Sequence, residues 1–259
     1  STFEKGNFSG AIIGIGRREF GNESYREFLS KSMKEIGIFI EGIEELSVYY
    51  YRNDLEKQNG LDGLKEVVKY IEDKNVEIVF YLATNYEFFP KITEMISKAG
   101  LNKGSKIVFE KPFGKNYKTS KELDDKIKKY FLEEQIYRID HYLAKEMVQN
   151  LRVLKFANPI IEKMLNKDMV EKIEVVVDEK IGVENRIEHY ESSGAINDMI
   201  QSHLLQVLAL VLMGNEKDIH SAKIKALQNI EFKSGVLGQY KSYSKEAEKI
   251  GISNSKVES

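Results

Sequence analysis

Apolar residues along this 259-residue chain follow two rhythms in succession. Residues 11–15 read AIIGI, a short continuous apolar run bounded by glycines. Such a run predicts a strand buried on both faces of a parallel sheet. Over residues 23–36 the pattern changes, with Tyr25, Phe28, Leu29 and Ile36 at intervals of three, four and seven. That spacing places them on one face of a helix. The alternation then repeats. SVYYY at 47–51 predicts a strand, 62–72 a helix, EIVFYLA at 77–83 a strand, 92–99 a helix and KIVFE at 106–110 a strand. Thr119, Ser120, Lys121 and Glu122 form a capping-box pattern, which predicts a helix starting there and running to residue 132 or so. Strands alternating with helices imply an α/β domain whose parallel sheet is covered on both faces.

From about residue 144 the rhythm differs. Met147, Val148, Leu151 and Leu154 form a helical stripe, and EKIEVVVD at 171–178 is strand-like. NDMIQSHLLQVLALVLM at 197–213 predicts a long helix, buried because its second half is apolar nearly all round. Residues 223–227 and 235–240 predict further short strands, and the tail from 241 is polar and weakly patterned. At roughly 100–200 residues per domain, the length accommodates two modest domains. The change of rhythm places them at 1–143 and 144–259, an α/β domain followed by an α+β one.

Composition removes several classes of function. An apolar fraction of 42% and a net charge of -2 supply a real core, which excludes wholesale disorder. With no Cys, the chain has no disulfide, no thiolate nucleophile and no sulfur-bound zinc; this suits a reducing compartment. Balanced charge, 39 Lys plus Arg against 41 Asp plus Glu, argues against a nucleic-acid partner. The opening residues STFEKGNFSG carry no apolar signal-peptide core, and no stretch reaches the roughly 18 consecutive apolar residues of a membrane span. The expectation is a cytoplasmic protein without a membrane partner or a metal.

Four segments hold chemistry. RIDHYLAK at 138–145 follows the last strand of the alternating region, and ligands of α/β sheets sit at the carboxyl ends of strands. Asp140, His141, Tyr142 and Lys145 stand there, and His, Tyr and Lys are donors that suit a phosphate. A charged strand-to-helix turn is the alternative. NDMIQSHLLQ carries Asp198 and His203, which lie about 140° apart on an ideal α-helix and so do not share a face. Alone, His203 reads first as a hydrogen-bonded core histidine and only second as a catalyst. EKPFG at 110–114 places Lys111 just past a strand, where an ammonium can reach a cofactor or carbonyl; otherwise it is a plain turn. GIGRRE at 14–19 lacks a third glycine and is a weak dinucleotide signal. Its Arg17 and Arg18 sit where a dinucleotide fold accommodates a ribose 2′-phosphate, with a solvated basic turn as the other reading.

In order, GIGRRE, YLA, EKPFG, EEQIYRIDHYLAKEMVQNL, FAN, DEKIGVE, NDMIQSHLLQ and VLGQY resemble the glucose-6-phosphate dehydrogenase family across almost the whole chain. RIDHYL followed by KEMVQNL is specific, whereas EKPFG is shared with related sugar oxidoreductases. The resemblance implies an incomplete Rossmann-type coenzyme domain followed by part of a β+α domain with a mainly antiparallel sheet. The family's GxxGDL phosphate loop and its last strands lie outside this sequence. Where the family has a proline-containing turn after YLA, this chain has Thr84, Asn85 and Tyr86.

The implied reaction is oxidation of β-D-glucose 6-phosphate at C1 to the 6-phospho-lactone, with hydride passing to NADP or, alternatively, NAD. This step opens the oxidative pentose phosphate pathway, and the family forms homo-dimers or homo-tetramers. Carried over, His203 is the general base and Asp140 orients it. The resemblance makes His141, Tyr142 and Lys145 the phosphate group's partners, and Glu179 and Asp198 acceptors for sugar hydroxyls. Lys111 contacts substrate and nicotinamide, and Arg17 with Arg18 meets the 2′-phosphate. Two other readings stand beside this one: a folded, non-catalytic remnant that binds sugar phosphate weakly, and a different sugar oxidoreductase sharing the EKP turn.

Overall fold

A computed structural model describes residues 11–35, 37, 47–54, 77–180, 182–183 and 186–259. The helix expected at 62–72 lies outside them. The chain divides into two compact units, Ser1–Ile139 and Asp140–Ser259.

In the first unit, β1 (Ala11–Gly16) runs parallel to β2 (Ser47–Arg52), with Ala11 opposite Ser47 and Gly16 opposite Arg52. Between them in the chain, α1 (Asn22–Glu35) packs on β2. Phe20, Tyr25, Phe28 and Tyr50 form an aromatic cluster here, Tyr25 and Tyr50 having ring centroids 4.7 Å apart. Gly14 makes room for that packing, since a Cβ there would lie 2.4 Å from the Tyr25 hydroxyl oxygen and would displace that ring. The expectation that AIIGI is buried on both faces is not met: every residue of β1 keeps some exposure, and Ile15 is 44% exposed. Successive side chains of a strand face opposite ways, so an aromatic cover over Gly14 leaves Ile15 on the other side.

A second parallel sheet has the order β3 (Val79–Leu82), β4 (Lys106–Glu110), β5 (Ile136–Ile139). Helix α2 (Phe89–Lys98) joins β3 to β4, and α3 (Tyr117–Ile127) joins β4 to β5. The two helices touch and share one core with the sheet, built on Leu82, Phe89, Ile96, Ile107, Phe109 and Phe131. Phe89 and Phe109 are 1% exposed, with ring centroids 4.7 Å apart. Fully burying each such side chain contributes about 1.5–3 kcal/mol. Cover on both faces was expected here too, yet Val79, Tyr81 and Tyr137 remain exposed. Tyr81 donates its hydroxyl to Glu110 on the neighbouring strand. That bond to a carboxylate, more than burial, pushes the Tyr81 phenol up to about 12.

The capping box of α3 sits one turn earlier than predicted. Asn116 is the N-cap, accepting from the Thr119 N–H at 3.0 Å, while the Thr119 hydroxyl accepts from the Asn116 N–H at 3.0 Å. Thr119 is therefore the third helical residue rather than the cap. Asn at the N-cap is as effective as Ser or Thr, which explains the displaced start. The helix ends at Ile127 rather than near 132, giving way to a short 3₁₀ turn, Glu133–Gln135, before β5.

The second unit is helical and irregular among its described residues. Its helices are α4 (Glu146–Phe156), α5 (Pro159–Met164), α6 (Ile187–Ala195), a π-helical segment Ile196–Leu204, α7 (Leu205–Leu212), α8 (Ile219–Gln228) and α9 (Tyr243–Glu248). The strands expected at 171–178 and 235–240 pair with no described neighbour, and 223–227 belongs to α8. A strand gains its stability from a ladder of partners, and those apolar runs find none here. One core joins Leu210, Met213 and Ala222 with Leu143, Val148 and Phe156; another joins Val183, Ile187, Tyr190 and Tyr243. The run Tyr190–Leu212 is long and apolar enough to cross a membrane by length and composition. It is broken at Gly194, where φ is 66° and ψ is 172°, and it carries Asp198 and the buried His203.

Candidate functional site

Asp140 stands directly after β5 and opens the turn that leads into α4. Its Oδ1 accepts the backbone N–H of Tyr142 at 2.9 Å, a short-range bond that locks the carboxylate in place. The same oxygen lies 2.8 Å from His203 Nδ1. His203 is 1% exposed. An ionised carboxylate only accepts, so Nδ1 carries the hydrogen and the neutral ring's lone pair is on Nε2.

The π-helical segment resolves the 140° separation expected of Asp198 and His203. The Leu205 N–H reaches back to the carbonyl of Ile200, and the Ser202 hydroxyl donates to that of Asn197 at 2.7 Å. With i→i+5 bonding the chain turns less per residue than an α-helix, so positions five apart come nearly into line. Asp198 and His203 are five apart. Both groups do bear on one side chain: His203 stacks on the Tyr142 ring, centroids 4.0 Å apart and planes 20° apart, and the Asp198 charge acts on the Tyr142 hydroxyl.

Tyr142 is thus the floor of the cluster. Its hydroxyl donates to Glu179 Oε1 at 3.0 Å, and the Lys145 ammonium rests 3.6 Å from its ring centroid, well within cation–π range. Burial pushes the Tyr142 phenol up, followed by the hydrogen bond to Glu179 and the charges of Glu179, Asp140 and Asp198. His141 is exposed, its ring centroid 4.6 Å from that of His203. Donor atoms of Asp140, His141 and His203 lie within 4.8 Å of one another; a hydrogen-bonded pair with a neighbouring ring accounts for the grouping.

The turn and the π segment therefore bring together Asp140, His141, Tyr142, Lys145, Glu179, Asp198 and His203. Two assignments change in detail. The Tyr142 hydroxyl is committed to Glu179, leaving His141 and Lys145 as the exposed donors. Arg138, also in RIDHYLAK, is occupied in the first unit by Glu133 and Asp124. Sequence reasoning missed Gln206 and Lys223, which are hydrogen-bonded at 2.9 Å. Residues 223–227 were expected to be a strand; the polar–apolar alternation of KIK hid the helical spacing of Ala222 and Ala226.

Lys111, Arg17 and Arg18 belong to the first unit. Lys111 is half-buried just past β4, ahead of a cis peptide bond to Pro112. Gly114 closes that turn at φ 103°, and a Cβ on it would meet the Ser120 backbone nitrogen at 2.7 Å. No other residue allows the turn to sit against the start of α3. Arg17 and Arg18 are exposed immediately after β1. The Arg18 guanidinium lies 5.5 Å from the Phe28 ring centroid and its carbonyl accepts the Tyr50 hydroxyl at 2.9 Å, which fixes Arg18 at the strand's end.

Comparison with known families matches residues 4–150 to the glucose-6-phosphate dehydrogenase NAD binding domain and residues 152–258 to the glucose-6-phosphate dehydrogenase C-terminal domain. Glucose-6-phosphate 1-dehydrogenase of Rhizobium meliloti (strain 1021) is 38% identical over 232 residues, 85% of this chain and 47% of that protein. The enzyme of the same name from Borreliella burgdorferi is 34% identical over 95% of this chain and 56% of its own length. The chain spans about half the length of the curated relatives it matches. Among solved structures, glucose-6-phosphate 1-dehydrogenase from Mycobacterium avium superposes with a TM-score of 0.86 at 26% identity, over 99% of this chain and 59% of that one. A glucose-6-phosphate dehydrogenase in complex with its substrate glucose-6-phosphate gives a TM-score of 0.77 at 29% identity, over 88% of this chain and 50% of that one. Motif order, the parallel sheets of the first unit and two successive domain matches agree, and the chain belongs to the glucose-6-phosphate dehydrogenase family.

Proposed function

We propose that the protein containing this chain oxidises β-D-glucose 6-phosphate at C1 to 6-phospho-D-glucono-1,5-lactone, the first step of the oxidative pentose phosphate pathway. The observation that carries the reading is the Asp140–His203 hydrogen bond beside an exposed His141 and Lys145. In this reading His203 Nε2 takes the proton of the C1 hydroxyl. A neutral imidazole suits that task near neutral pH, and general-base help of this kind contributes about 10²–10⁴ in rate. Asp140 holds the ring in the required tautomer and stabilises the imidazolium that forms. His141 and Lys145 bind the substrate phosphate, and Tyr142 shapes the floor. Glu179 and Asp198 accept hydrogen bonds from sugar hydroxyls; a carboxylate has room for several donors, so the Tyr142 bond does not exhaust Glu179.

In this reading the first unit, matched to an NAD binding domain, belongs to the part of the protein that holds a nicotinamide coenzyme, whose ring supplies the hydride acceptor when bound. Exposed Arg17 beside the anchored Arg18 favours NADP over NAD, because guanidinium groups match a 2′-phosphate. Lys111 contacts the substrate and the nicotinamide end. Assembly into dimers or tetramers and a cytoplasmic setting belong to the same proposal. Mixing the full-length protein with glucose 6-phosphate and NADP is expected to raise absorbance at the reduced-nicotinamide band, and His203→Ala to abolish most of the rate. Inactivity with both NADP and NAD would leave the non-catalytic reading standing. Equal turnover of unphosphorylated glucose would favour a different sugar oxidoreductase.

A further inference from the structure

Lys223 projects from α8 and is half-buried, its Nζ donating to Gln206 Oε1 at 2.9 Å. Gln206 lies on α7, three residues past His203. Helices α7 and α8 pack together around Leu210, Met213 and Ala222, and Leu143, from the turn opened by Asp140, joins that core. Three elements thus converge: the helix bearing Lys223, the helix continuing from His203 and the turn bearing Asp140. Burial pushes the Lys223 ammonium down, and the Asp140 carboxylate is the charge that pushes it back up.

We infer that Lys223 is a positioning residue of the Asp140–His203 pair, a fixed cation that disfavours the imidazolium and keeps His203 neutral as a base. The inference rests on the role proposed above for His203, and it concerns a property that is measurable without turnover. The charges round His203 otherwise pull the opposite way. Asp140 is bonded to it, Glu179 accepts the hydroxyl of the Tyr142 ring on which it stacks, and the Asp198 charge acts on that hydroxyl; all three carboxylates favour the protonated ring. Lys145, Lys223 and a protonated His141 oppose protonation by charge. Lys145 sits on the Tyr142 ring but is solvent-exposed, so water and salt screen it, and His141 is exposed as well. Lys223, half-buried and tethered by Gln206, is screened less. The three carboxylates draw a proton to the ring, while its burial and the Lys223 charge oppose that proton, and only the neutral ring accepts a proton from a sugar hydroxyl.

The test is an NMR titration of the His203 ring in this chain, its resonances assigned by their loss in His203→Gln. Lys223→Met and Lys223→Gln, the latter keeping a polar end for Gln206 without charge, are each expected to raise the His203 midpoint by about half a pH unit or more. Lys223→Arg is expected to restore the wild-type midpoint. Unchanged midpoints in both neutral variants, or equal rises in all three variants, would overturn the inference. Amide dispersion shows whether each variant is folded, and Lys223→Gln carries the test should Lys223→Met unfold. If the full-length protein proves inactive while the midpoint moves as expected, the proposed reaction fails and the electrostatic role of Lys223 stands. If it is active and the midpoint stays fixed, the reverse holds.

Discussion

His203 Nδ1 and Asp140 Oδ1 are 2.8 Å apart although 63 positions separate the residues in the chain. The oxygen also accepts the Tyr142 N–H, so the carboxylate that orients the ring is itself held by the backbone. Asp140→Asn keeps the size of the side chain and removes its charge. In the full-length protein the variant is expected to lose at least about tenfold in kcat with a smaller change in KM, because an amide stabilises an imidazolium poorly. Steady-state kinetics against glucose 6-phosphate measure this; a pure KM effect would place Asp140 in binding instead.

Lys145 lies over the Tyr142 ring and is exposed. Lys145→Gln is expected to raise KM for glucose 6-phosphate by about tenfold or more, with kcat changed little, since a charge-assisted bond to phosphate is worth about 1.5–3 kcal/mol. Unphosphorylated glucose, if turned over at all, should not respond to the substitution. A loss confined to kcat would argue that Lys145 serves the reacting end of the sugar.

Lys155 is 7% exposed and its ammonium donates to the carbonyls of Val211 and Met213 at 2.5 and 2.7 Å, closing the carboxyl end of α7. Burial pushes this ammonium down from its ordinary range. Lys155→Met fills similar space but leaves two carbonyls without their charged donor. The expected cost is about 2–4 kcal/mol, read from urea unfolding of the variant against the parent chain. Unaltered stability would show that the carbonyls find other partners.

Tyr243 is fully buried and donates its hydroxyl to Glu191 Oε1 at 2.8 Å. Burial, and then the Glu191 bond, push its phenol well above the ordinary range. A folded-state pKa raised above the unfolded value contributes stability below about pH 10, which is lost as pH rises through the folded value. Thermal unfolding between pH 9 and 12 should therefore show a falling melting temperature, and Tyr243→Phe should flatten that fall. An unchanged slope in the variant would assign the alkaline loss to other groups.

Much of the fold was legible because strands and helices alternate with clear periods. Residues 106–110 form β4 as expected, and 92–99 lies within one residue of the end of α2. What misled was local chemistry with two solutions. Asn116 took the cap that Thr119 also suited, and residues 171–178 carry a strand pattern that no described partner completes. The site was legible as residue types in order, yet its geometry was not. A period of 3.6 put Asp198 and His203 on different faces, and only the wider π turn, set by backbone bonding rather than side-chain pattern, brings them nearly into line. Gln206 and Lys223 went unseen because nothing in the sequence marks a lysine that a neighbouring helix will half-bury against a glutamine.

Transfer of the C1 hydrogen tests the central claim most directly. Full-length protein incubated with glucose 6-phosphate deuterated at C1 and with NADP should yield reduced coenzyme carrying the deuterium, read by mass spectrometry. Phosphogluconolactone should form in equal amount, and both products should be lost in His203→Gln. Absence of labelled reduced coenzyme with NADP and with NAD, or undiminished transfer in His203→Gln, would contradict the account.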